Sequence, residues 1–283
     1  MTLPKHRAMP LIVGMALSLV FAQAACDTEP STDGADTSGV DLQYGPPMTL
    51  GEGQVRTYVV LEKGPERKPL EIGVAMDART LEGNLPDGDR VSITLEFPDP
   101  VPEPYEFVMF DWNPQGHIPE GIYDVPHFDV HFYRTPYAEV QAIRPEDPDF
   151  AKKANNLPTG DFVPPNYIVP TPPGLEPVAL AQPMMGLHWE DARTPELQRL
   201  LGHPDAYRPF DKTFLYGSWD GWMTFVEPMI TREYLLRRTD ETIEVPRPAR
   251  YPEPGWYPGA YRITYDAQAK EYRVAIVDFE RRD

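Results

Sequence analysis

Cysteine is almost missing from this 283-residue chain: Cys26 stands alone. Without a second cysteine there is no intrachain disulfide and no dithiol redox pair, so the fold must rest on its core. Basic residues are also short, 26 Lys and Arg against 44 Asp and Glu. That balance disfavours nucleic acid and anionic lipid surfaces as partners. Long hydrophobic runs are lacking too. Residues 10–21 form an apolar run of about a dozen, where a comfortable membrane span needs about 20. There is no GxSxG, no phosphate loop, no dinucleotide fingerprint, and no HExxH or paired CxxC spacing. The common nucleophilic, nucleotide-dependent and dithiol classes have no recognisable machinery here, which leaves open an enzyme of another kind.

Proline, by contrast, is abundant, with 35 residues against an ordinary rate of about 5%. Most prolines fall between apolar runs, which predicts long ordered loops. The N-terminus reads as an export signal: Lys5 and Arg7, the apolar run, then Ala22-Gln23-Ala24-Ala25-Cys26. Small residues before the single cysteine resemble a bacterial lipobox, although Gln23 stands where an aliphatic residue is usual. In that reading residues 1–25 are a lipoprotein-type signal peptide and Cys26 is lipidated. More than one acyl chain would then hold the protein stably on a membrane. Ordinary cleavage after Ala24 is the competing reading. It leaves a lone thiol without a partner in an oxidising compartment. Loss of the signal leaves 24 Lys and Arg against 44 Asp and Glu, a net charge of −20. Residues 26–43 read as an acidic flexible tether, its first part (DTEPSTDGADTSG) too polar to order itself. Residues 44–283 then form a single β-rich domain.

The chemistry concentrates in residues 112–133, WNPQGHIPEGIYDVPHFDVHFY, which hold three of the six histidines. His127 and His131 could share a helix face at i, i+4, as in helical zinc sites. The residue types argue for a strand instead, because Phe128, Val130 and Phe132 alternate with His127, Asp129 and His131. The polar set then lines one face and the apolar set packs into the core. Four residues along a strand span roughly 13 Å, while a zinc–nitrogen bond is about 2 Å. His127 and His131 therefore do not meet easily, and pairs at i, i+2 with Asp129 are simpler. His117 on the preceding loop, His188 in MMGLHW and Glu227 in FVEPM are the candidates to complete a site. The same residues are equally readable as a structural polar layer under the proline-rich loops.

That central run, the later GLHW, the segment FLYGSWDGWMTFVEPMIT and the closing YPEPGWYPGAYRITYD resemble one uncharacterised bacterial family. It is a "domain of unknown function" family of exported proteins and lipoproteins, typified by a thermophile protein controlled by an extracytoplasmic sigma factor. The resemblance runs from about Tyr44 to the C-terminus. It implies an envelope protein and carries no established reaction, so it assigns no catalytic residue.

Elsewhere the pattern is of short strands and turns. Residues 55–61, 69–76, 91–97 and 105–112 are β-rich runs, and residues 214–226 read as a hairpin turning at Asp220-Gly221. Residues 261–265 and 271–279 form a last hairpin. Short helices are expected after Thr135, after Thr194, and over residues 229–238. The fold expectation is mainly β, an antiparallel sandwich or barrel with two or three short helices and long Pro-rich loops. The arm at residues 145–183 either covers a sheet edge or wraps a neighbouring subunit. Trp219 and Trp222 at the hairpin tip either pack on loops or meet a sugar or membrane.

Three functions follow. The first is a cell-envelope lipoprotein whose domain binds a small ligand or a divalent metal (zinc, copper or iron) through His117, His127, Asp129, His131 and His188. The second is a metal-dependent enzyme using the same cluster, with Glu227 as base. The third is a structural homo-oligomer without a site.

Overall fold

The computed structural model describes residues 39–283. The signal segment, Cys26 and the tether up to residue 38 lie outside the described residues.

The described chain begins on a strand. β1 (Val40–Tyr44) pairs antiparallel with β3, so ordered structure starts four residues before the expected boundary at Tyr44. β2 (Met48–Leu50), β3 (Gly53–Glu62) and β4 (Pro69–Asp77) follow. The β3–β4 pairing is the one expected from the two apolar runs around Gly64-Pro65. Helix α1 (Ala78–Glu82) is capped by Asp77, whose side chain accepts from the Arg79 amide. The chain then crosses to a second sheet with β5 (Val91–Glu96), β6 (Phe107–Asn113) and β7 (His127–Tyr133). The proline-rich region carries α2 (Tyr137–Gln141), α3 (Phe150–Ala154) and β8 (Tyr167–Ile168). β9 (Leu187–Asp191), β10 (Lys212–Trp219) and β11 (Trp222–Thr231) complete that sheet. After α4 (Arg232–Leu236), β12 (Glu241–Glu244) returns to the first sheet. β13 (Gly255–Tyr257) leads into the hairpin of β14 (Ala260–Asp266) and β15 (Glu271–Val277), and β16 (Glu280–Arg282) pairs back on β13.

Two seven-stranded antiparallel sheets result, ordered β1-β3-β4-β15-β14-β12 with β2 beside β3, and β5-β6-β7-β11-β10-β9-β8. Their inner faces share one core. Val55, Val59, Ile72, Val74 and Ile276 from the first sheet meet Val108, Phe110, Phe128, Val130, Phe132 and Ile230 from the second. This is a mainly β sandwich and not a closed barrel. Burying each of Phe128 and Phe132 contributes about 2–3 kcal/mol.

Local expectations differ from the structure in a few places. Residues 229–231 are strand, not helix. The short run Met229, Ile230, Thr231 is claimed by pairing with Asp129, Phe128 and His127. The helix is only α4, capped by the Thr231 hydroxyl, which accepts from the Tyr234 amide at 3.1 Å. After Thr194 there is one tight turn at Pro195–Leu197 in place of a longer helix. Pro136, not Thr135, occupies the cap position of α2. GLHW lies at the start of a strand, β9. Four short α-helices are described where two or three were expected. The Pro-rich arm covers its own sheet edge, because β8 pairs with β9 and the Tyr167 hydroxyl donates to the Phe214 carbonyl at 2.9 Å. The Asp220-Gly221 turn forms as read, with both residues at positive φ (47° and 87°). Trp219 packs on Phe150 and Trp222, 52% exposed, meets the edge of Phe162.

Candidate functional site

β7 alternates as its residue types require. Phe128, Val130 and Phe132 enter the core, and His127, Asp129, His131 and Tyr133 face outward from the sandwich. That outward face is nevertheless covered, and all seven residues of β7 are buried. Two apolar clusters flank a polar band. One holds Phe107, Met109, Tyr133, Val140, Met185 and Phe225; the other holds Ile122, Tyr123, Leu197, Phe210, Leu215 and Met229.

Strand register brings the polar side chains together. β6 lies on one side of β7 with Asn113, Asp111 and Met109 opposite His127, Asp129 and His131. β11 lies on the other side, where Met229 faces Asp129 and Phe225 faces Tyr133. Glu227 falls between those pairs, opposite His131. His117 arrives from the covering loop, through a turn that needs Gly116. Gly116 has φ +68°, and a Cβ there would lie 2.1 Å from the Tyr123 carbonyl oxygen. The His117 amide then donates to that same carbonyl at 3.0 Å. His188 reaches in from β9 past Gly217, its register partner on β10. A Cβ on Gly217 would meet the Phe225 ring at 2.0 Å. Because Gly217 lacks one, that ring fits beneath both His131 and His188, with centroids 5.0 and 5.3 Å away.

The sequence candidates form two triads rather than one cluster. Among the described residues, His117, His127 and Asp129 offer ligand atoms within 4.8 Å of one another, and so do His131, His188 and Glu227. In the first, Asp129 Oδ1 lies 3.1 Å from His127 Nε2 and Oδ2 lies 3.4 Å from His117 Nε2. Asn113 Nδ2 also donates to Oδ2 at 2.7 Å. In the second, Glu227 Oε1 lies 3.2 Å from His131 Nε2 and Oε2 lies 3.4 Å from His188 Nε2. The split follows from strand geometry. His127 and His131 are too far apart along β7 to share an ion, so each takes its nearest carboxylate. Asp129 and His131, which anchor the two triads, are alternate residues about 7 Å apart along the strand. Each triad has two buried members and one at the rim, His117 or His188, whose side chains are 36% and 21% exposed.

Three of these imidazoles have a defined tautomer. Nδ1 of His117, His127 and His131 lies 2.7, 2.6 and 3.2 Å from the carbonyl oxygens of Ile118, Val125 and Met109. A carbonyl can only accept, so each Nδ1 carries the proton and donates. In each ring Nε2 then faces a carboxylate oxygen. Two lone pairs facing each other at 3.1–3.4 Å repel unless a proton or a metal ion lies between them. His127 Nε2 and Asp129 Oδ1 are indeed buried without a hydrogen-bond partner, as is Glu227 Oε2.

The two triads hold protons differently. Burial works against the Asp129 anion, but the charges and hydrogen bonds of His127 and His117 outweigh it and hold its carboxyl well below the usual range. Burial likewise opposes the His117 cation, and the hydrogen bond and charge of Asp129 raise it overall. In the first triad the surroundings thus favour the Asp129 anion and the His117 cation. In the second, burial pushes Glu227 well above the usual carboxylate range, helped by Asp129, Asp111 and Glu190. Burial lowers His131, and burial with the neighbouring His131 and His117 lowers His188 to about 3. In the second triad burial thus favours the protonated acid and the neutral imidazoles. Metal ligation at either triad would displace a proton.

No protein-family model, curated protein or solved structure matches the chain.

Several buried groups around the triads escaped the sequence reading. Asp111 and Asn113 lie across from Asp129 and His127 on β6, and Glu190 on β9 accepts from the Tyr123 hydroxyl at 2.7 Å. The signal for Asp111 was present, since it alternates with the core residues Val108 and Phe110 in a run of apolar residues. Glu190 had none, because β9 was not expected to be a strand.

Proposed function

We propose that this protein is an exported, lipid-anchored component of the bacterial cell envelope whose β-sandwich binds divalent metal ions at two 2-His-1-carboxylate triads. One observation carries the metal reading. Twice on one sheet face, two imidazoles and a carboxylate converge, and backbone carbonyls already hold Nδ1 of three of the four rings so that Nε2 is the ligating atom. Metal-bound histidines are oriented by hydrogen bonds of this kind. The donor set contains no sulfur and suits zinc, iron(II) or copper(II). The location is supported by the export-like segment, the lipobox-like residues before Cys26, and the resemblance to the exported family.

A metal-dependent enzyme is the second reading, favoured by the number of ligands. Three protein ligands leave a tetrahedral ion one position for water or substrate, and the rim histidines His117 and His188 give that position access to solvent.

The test is elemental analysis of the purified full-length protein alongside His127→Ala and His131→Ala. The wild type should carry two equivalents of zinc, iron or copper, each variant one, and the double variant none, with circular dichroism unchanged. A folded wild type that stays metal-free after dialysis against zinc(II), iron(II) and copper(II) refutes the reading.

A further inference from the structure

Asp111 is a buried carboxylate beside the triads that neither of them uses. It is 0% exposed and stands directly opposite Asp129 in the β6–β7 pairing. Neither of its oxygens has a hydrogen bond of normal geometry. Ser92 faces it across the β5–β6 pairing. Its nearest charge partner is His131, with Oδ2 3.7 Å from Nδ1. A buried carboxylate beside a second carboxylate is costly unless positive charge reaches it.

That charge has an obvious source if the His131 triad binds a metal. Ligation through Nε2 withdraws electron density from the ring and makes Nδ1–H a stronger donor. Nδ1 already donates to the Met109 carbonyl at 3.2 Å, and Asp111 Oδ2 stands 3.7 Å from the same nitrogen, near enough for its charge to act on the ring. Carboxylate behind histidine behind metal is a recurrent arrangement that orients the ring and raises its basicity. We propose that Asp111 is the positioning carboxylate of the His131–His188–Glu227 triad, holding the His131 ring and supplying negative charge behind it when a divalent ion is bound. The inference rests on the metal reading. Asp111 touches no metal itself and acts through His131.

The test uses cobalt(II) as the probe in full-length His117→Ala protein, which retains only the second triad. Asp111→Asn in that background should weaken cobalt binding roughly 10–100-fold and shift the visible cobalt bands. Circular dichroism should be unchanged. Unchanged affinity and bands overturn the role of Asp111 while leaving the metal site intact. No cobalt binding by folded His117→Ala protein overturns the metal reading of this triad and the role of Asp111 with it. Should Asp111→Asn fail to fold, Asp111→Ser takes its place in the same cobalt titration: weakened binding with shifted bands supports the proposal, and unchanged affinity and bands refute it.

Discussion

Glu190→Gln should flatten a specific part of the pH dependence of folding. Glu190 is 4% exposed on β9. Burial, against the hydrogen bond from Tyr123, raises its carboxyl from the ordinary 4.5 to about 7. In the unfolded chain the group returns to about 4.5. The folded value is the higher one, so the stabilisation from this group is complete below about pH 4.5 and is lost as pH rises through about 7. The gap corresponds to about 3 kcal/mol. Glutamine keeps an oxygen to accept from Tyr123 and cannot ionise, so it removes the effect without emptying the site. Urea unfolding of wild type and variant, in chelator, at pH 4.5 and pH 8.5 gives the answer. The difference in unfolding free energy between the two proteins should move by about 3 kcal/mol between those pH values, in favour of the variant at high pH. Other titrating groups, including His188 and Glu227, are common to both proteins and cancel in that difference to first order. A difference that changes by less than about 0.5 kcal/mol would show that water reaches Glu190 and that the covering loops do not seal this face.

Three further outcomes follow from the same geometry. Gly217→Ala drives a Cβ into the Phe225 ring, so it should cost about 1–3 kcal/mol in a urea titration and abolish metal at His131 while sparing the His117 triad. His127→Ala removes a fully buried partner of Asp129 and should cost about 3–5 kcal/mol in the metal-free protein; His117→Ala, at the rim, should cost under about 1 kcal/mol, and equal costs would sink the ion-pair description of this triad. Zinc at 100 times its dissociation constant should raise the unfolding free energy by about 2.7 kcal/mol per site and release protons measurable in weakly buffered solution, whereas a chelator should reverse both.

Much of the scaffold was legible in the residues. Strict alternation on β7, the Asp-Gly turn between β10 and β11, and the apolar runs of β3, β4 and β5 each report a local preference of the backbone. A strand's two faces follow from its own geometry, so the segregation of His127, Asp129 and His131 from Phe128, Val130 and Phe132 needed no partner to be read. Local signals misled where pairing overrode them. Residues 229–231 resemble the start of a helix until β7 takes their hydrogen bonds, and residues 40–44 resemble tether until β3 does.

The candidate ligands were likewise visible one by one, and even the difficulty of bringing His127 to His131 was a matter of rise per residue. Their grouping was not visible. Register across β6, β7 and β11 sets Glu227 opposite His131 and Asp111 opposite Asp129, and Gly217 clears the way for Phe225 and His188. The covering loop adds His117, and the sealed face lifts Glu190 and Glu227. These are relations between segments as much as about 100 residues apart in the chain. Composition and periodicity determined that a polar strip would lie on one side of a β7-centred sheet. Only the packed structure decided that the strip is buried, that it divides into two triads, and which carboxylate each histidine meets, because those depend on distances that no local pattern encodes.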